Sequence, residues 1–113
     1  MLNQVVIRKI ELAKRTGKLD LNNENPKLNN VDISELAIAL INAPSIHWLD
    51  VRNNNIGPSG AATLVQNTTL RTLYLYGGNP LTISDLRPFL QNITLNKFPV
   101  VGGSGPLLRS IRD

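Results

Sequence analysis

Hydrophobic positions return along this chain at a fixed interval. Three stretches share a hydrophobe, two variable residues, a leucine-like residue, one variable residue and a second hydrophobe. They read Ile46-His47-Trp48-Leu49-Asp50-Val51, Leu70-Arg71-Thr72-Leu73-Tyr74-Leu75 and Leu95-Asn96-Lys97-Phe98-Pro99-Val100, starting 24 and then 25 residues apart. The alternation within each stretch predicts a strand with one buried face. The constant interval points to stacked supersecondary units that bury a shared core. Lys18-Leu19-Asp20-Leu21-Asn22 is a shortened earlier copy with the same alternation.

Between the strands the period changes to that of helices. Residues 2–16 place Val6, Ile7, Ile10, Ala13 and Leu12 near one stripe, with Arg8, Lys9, Glu11 and Lys14 outside it. Gly17 is the predicted stop, and this helix would cover the open end of the first repeat. After a turn-rich loop over residues 24–30, Asp32-Ile33-Ser34-Glu35 has capping-box spacing with Asp32 as the cap. The helix it starts should bury Leu36, Ala39 and Leu40 and end near Asn42-Ala43-Pro44. Asn54, three residues past Val51, is placed to bond the backbone of the bend. Gly60, Ala61 and Ala62 would let the next helix lie close to the sheet. With Ser84 as a cap, Pro88 falls at the fourth helical position, where no intrahelical bond is lost. The sequence Asn67-Thr68-Thr69, a formal glycosylation acceptor, recurs as Asn92-Ile93-Thr94 and is better explained as a repeated turn. Beyond Val101, the run Gly102–Pro106 breaks the pattern, and Leu107, Leu108 and Ile111 belong to either a small cap or a frayed tail. A tail would leave the last core edge open, favouring self-association through the C-terminal end or a longer natural chain.

At these positions the chain resembles the leucine-rich repeat proteins. Asn54, Ile56, Gly60 and Leu64 resemble the ribonuclease-inhibitor-type subfamily in particular. The wording of the repeats is also similar to short leucine-rich effectors of intracellular bacteria such as Legionella. The resemblance implies an α/β leucine-rich repeat solenoid, with a curved parallel sheet of about four strands on the concave face. Short helices would line the convex face, behind an N-terminal helical cap. Residues 1–17 would then be the capping helix, 18–101 the repeats, and 102–113 the tail or small cap. The implied function is recognition of a partner protein by the concave face, with no enzymatic activity. For the bacterial resemblance, the partner would be a host protein.

Composition narrows the chemistry. The chain has 113 residues, 42% of them hydrophobic, which fits one small folded domain. Cysteine is absent and His47 is the single histidine, so thiolate and multi-histidine metal sites are excluded and no metal or other cofactor is expected. No apolar run approaches the roughly 18 residues of a membrane span. Val5-Val6-Ile7 is too short for a signal-peptide core, so a cytoplasmic location is expected, with specialised secretion left open. His47 has no nearby serine or cysteine nucleophile, and Gly102-Gly103-Ser104-Gly105 lacks the lysine of a phosphate loop. The net charge of +4 is mild. Its densest group, Arg8, Lys9, Lys14, Arg15 and Lys18, gives the alternative reading, electrostatic binding of nucleic acid or an anionic membrane. A solvated helix face explains the same residues more simply.

Strand alternation assigns the candidate surface. With Leu49, Val51, Leu73, Leu75, Phe98 and Val100 facing inward, the residues between them face outward. The outward rows are Lys18, Trp48, Thr72 and Lys97; Asp20, Asp50, Tyr74 and Pro99; Asn22, Arg52, Tyr76 and Val101. The only tryptophan and both tyrosines therefore gather on one face. Trp, Tyr and Arg are the residues most enriched at the centres of protein interfaces. Trp48, Asp50, Arg52, Tyr74 and Tyr76 are the expected centre of partner binding, and Lys18, Arg71 and Lys97 its charged rim. The competing explanation is cross-strand packing of large aromatics with an exposed Asp50–Arg52 pair.

Overall fold

The computed structural model of the chain describes residues 2–91. Helix α1 (Gln4–Thr16) leads into strand β1 (Lys18–Asp20), followed by α2 (Asn30–Ile41), β2 (Trp48–Asp50), α3 (Pro58–Leu64) and β3 (Thr72–Tyr74). A 3-10 helix (Ile83–Gln91) follows. The strands form one parallel sheet in the order β1-β2-β3.

This arrangement corrects the expected fold class. The described residues form a small α/β unit with an open three-stranded sheet, not a curved solenoid of about four strands. Each strand is only three residues long, which is too little sheet to define an arc or a concave surface. The fourth strand expected around Lys97–Val100, and the tail or cap over 102–113, lie outside the described residues.

The strand register follows the hydrophobic rows. Leu19, Leu49 and Leu73 are aligned across the sheet, and each is at most 1% exposed. Leu21, Val51 and Leu75 form a second buried row, and Ile46 with Leu70 extends the core ahead of the strands. Against these pack Val6, Ile10 and Ala13 of α1, Ile33, Leu36 and Leu40 of α2, Ala61 and Leu64 of α3, and Leu86 and Phe89 of the 3-10 helix. One hydrophobic cluster runs through the whole unit.

Local signals explain where the elements begin and end, and several differ from expectation. Asn3 caps α1 by accepting from the Val6 amide at 2.9 Å, and Gly17 ends it in the left-handed region at φ 81°. Ile7 and Leu12 belong to neither the buried stripe nor the core; Leu12 is 62% exposed. Helix α2 starts earlier than expected, because Asn29 rather than Asp32 is the cap. Asn29 accepts from the Asp32 amide and Asp32 accepts from the Asn29 amide, both at 2.9 Å. Asp32 is thus the third helical residue of the box. In the third unit Thr82, not Ser84, pairs reciprocally with Asp85. Pro88 then lies well inside the helix, where it would clash with an α-helical carbonyl, and the segment winds as a 3-10 helix.

Two kinds of bond tie successive strands together beyond the sheet. The Gly17 carbonyl accepts from both His47 and Trp48 amides, at 2.9 and 3.1 Å. This fixes where β2 begins beside β1. Asn54, 4% exposed, donates to the Leu21 and Val51 carbonyls and accepts from the Leu28 amide at 2.9–3.0 Å, fulfilling its expected role in the bend. The chain leaves each strand through a left-handed residue: Asn23 at φ 55°, Asn53 at 57° and Gly78 at 72°. Asparagine and glycine tolerate that conformation where other residues are strained.

Candidate interaction face

The outward rows form as the alternation requires. Lys18, Trp48 and Thr72 are in register, as are Asp20, Asp50 and Tyr74. Because adjacent strands lie about 4.8 Å apart, residues offset by two positions also meet. Trp48 and Tyr74 do so, with ring centroids 5.4 Å apart and planes tilted by 53°. Both rings are half-buried.

Each ring carries a cation. The Lys18 ammonium is 5.9 Å from the Trp48 centroid, and the Arg52 guanidinium carbon is 4.8 Å from the Tyr74 centroid. Both fall within the range of cation–π attraction, worth roughly 0.5–1 kcal/mol at exposed sites.

Asp50 departs from the expected contact role. It is 3% exposed, because Arg52 folds back over its carboxylate. Arg52 Nη2 donates to Asp50 Oδ2 at 2.7 Å and Nε to Oδ1 at 3.1 Å. The Arg52 amide also donates to Oδ1, at 3.0 Å, and Asn22 Nδ2 approaches Oδ2 at 3.4 Å. These bonds hold the Arg52 pKa above its already high ordinary value, the hydrogen bond to Asp50 being the main cause. Asp50 is therefore the brace that aims Arg52 across Tyr74. The fork geometry of guanidinium and carboxylate suits such a fixed pair.

The remaining expected residues sit as follows. Tyr76 is half-buried and packs on the edge of the core. Lys18 and Arg71 are exposed, while Thr72 is buried at 8% exposure. Lys97 lies outside the described residues. His47 is exposed, with its ring against Gly17. Among the described residues no group of three His, Asp or Glu side chains is placed to hold a metal ion.

Several polar side chains that organise the face went unassigned in the sequence. Asn53 Nδ2 donates to Asn22 Oδ1 at 2.9 Å, joining two strand exits. Asn79 donates to the Leu75 and Val51 carbonyls, at 2.6 and 3.0 Å, and accepts from the Asn54 and Ile56 amides. It does for the third strand what Asn54 does for the second, and its signal was the 25-residue offset from Asn54. Asn30 accepts from the Gly57 and Gly60 amides at the start of α3. Glu24, in the turn-rich loop, is buried and paired with Lys9 at 2.6 Å; nothing in the loop's composition marks it.

The chain matches no family model, and no curated protein or solved structure matches it.

Proposed function

We propose that this chain is a protein-interaction module that binds a partner protein through the outward face of its sheet, without catalysis of its own. The observation carrying this reading is the Trp48–Tyr74 pair. Two large half-buried rings stand on the sheet, each beside a cation, and one of those cations is held in place by a buried carboxylate. Preorganised aromatic and arginine groups give interface area at little entropic cost. Lys18 and Arg71 form the rim, where charge governs approach more than affinity. The electrostatic alternative is weaker, since Lys9 and Lys14 are already engaged by Glu24 and Glu11.

The test uses Trp48 itself, the only tryptophan in the chain. Proteins captured from a lysate by the wild type, and not by Trp48→Ala/Tyr74→Ala, would be purified and titrated while Trp48 emission is followed. We expect a saturable change in emission with the wild type and loss of capture by the double variant. The double variant should lose no more than about 2 kcal/mol of stability. Equal capture by both proteins, or unfolding of the double variant, would mean that the aromatics are structural.

A further inference from the structure

The geometry points to a second docking site, a groove between α1 and the free edge of β1 that takes an extended acidic peptide as an added strand. The groove has a volume of about 350 Å³ and is lined by Lys9, Leu12, Ala13, Thr16, Lys18, Asp20 and Asn22. It adjoins the aromatic face, sharing Lys18 with it, and does not depend on the role proposed for that face.

Three observations define the occupant. The first is the backbone. Amides of Leu21 and Asn23 donate to Asp50 and Arg52 carbonyls of the neighbouring strand, so by alternation Lys18, Asp20 and Asn22 direct their backbone groups away from it. The hydroxyl of Thr16 engages the Lys18 amide and carbonyl, both at 3.2 Å, and the Asp20 carboxylate engages the Asn22 amide at 3.0 Å. The N–H and C=O of Asp20 remain as the open edge, the pattern that strand addition completes. The second is the wall. Leu12 is 62% exposed on a helix whose other face is buried, and it stands with Ala13 along the groove, ready for one apolar side chain of the guest. The third is charge. Lys9 and Lys18 line the groove against one carboxylate, Asp20, and the helix that carries Lys9 also bears Arg8 and Arg15, which like Lys18 are exposed and form no ion pair among the described residues. An acidic segment therefore complements it. A nucleic acid or an anionic bilayer would meet the same cations but has no use for a strand edge or a leucine wall.

The probe is an end-capped peptide of alternating glutamate and valine, followed by amide NMR of the full chain. Its arms are the same peptide N-methylated at alternate residues, a lysine-valine counterpart, single-stranded DNA and phosphatidylserine vesicles. We expect the acidic peptide to shift the amides of Leu12, Thr16 and Asp20 and to slow exchange at Asp20. N-methylation, charge reversal of the peptide and Leu12→Glu should each weaken binding at least tenfold. Leu12 is exposed, so the Leu12→Glu protein should keep the wild-type amide spectrum elsewhere. Absence of acidic-peptide binding, indifference to N-methylation or to Leu12→Glu, or a stronger response to DNA or vesicles than to the peptide would overturn the assignment.

Discussion

At Asn54 a single side-chain amide serves backbone groups from three stretches of chain, those around Leu21, Leu28 and Val51. Alanine there would leave the buried Leu28 N–H and the Leu21 carbonyl without their partner, while the Val51 carbonyl keeps its bond from Asn79. An unsatisfied buried polar group costs about 1–3 kcal/mol. We expect Asn54→Ala to lower unfolding stability in urea by about 2–4 kcal/mol, a large share of what a domain of this size has to lose. Asn54→Asp keeps the acceptor and loses the donors, so it should rescue only part of the loss. The Arg52–Asp50 pair differs in kind. Asp50 is almost fully covered while Arg52 is half-buried, so the pair aims a side chain more than it adds stability. Sequence alternation put Asp50 on the outward face, and that placement is right. What alternation could not show is that Arg52, two residues on, would fold back and cover it.

Among the elements, α2 shows how a correct signal can be assigned to the wrong residue. The serine- and acid-rich stretch Asp32–Glu35 looked like a cap followed by its partner, yet the reciprocal bonds join Asn29 to Asp32. Both frames satisfy the spacing rule. Helix α2 takes the earlier one, which brings Ile33 into the core along with Leu36 and Leu40 and leaves Ala39 only partly buried. Asn29→Ala and Asp32→Ala should each destabilise the protein by about 1 kcal/mol. Because the two bonds act reciprocally, the double variant should cost less than the sum of the singles; chemical denaturation of all three variants checks this. The strands were legible because a period of two survives even in segments of three residues. The helix boundaries were less so, since Ile7 and Leu12 look like core residues by composition and only packing shows which way α1 is rolled. Pro88 is likewise compatible with a helix capped at Ser84, and only the Thr82–Asp85 pairing places it well inside the helix.

For the molecule as a whole, the recurring leucines specified the register, and the register assembled the face. Leu49 sits between Leu19 and Leu73 in the middle strand and is fully buried. Leu49→Ala should cost about 3–5 kcal/mol and leave little of the folded state at physiological temperature. Thermal unfolding followed by circular dichroism would measure it. The same spacing, extended to a curved array, promised more sheet than the described residues contain. A repeat in sequence guarantees that each strand finds its neighbour. It does not guarantee enough of them to bend into an arc.

The asparagines at the strand exits have one more consequence, concerning how such a chain tolerates change. Asn54 holds the Leu21 carbonyl where the first connection begins and the Leu28 amide where that connection turns toward α2. Asn79 likewise holds the Val51 carbonyl and the Ile56 amide on either side of a shorter connection. Each amide pins both ends of a loop, and the middles are held too: Glu24 is buried beside Lys9 in the first connection, and Asn54 itself lies inside the second. Insertions between Leu21 and Leu28 should therefore be tolerated better than any between Val51 and Ile56, where a shifted Asn54 would release the first connection as well as the second.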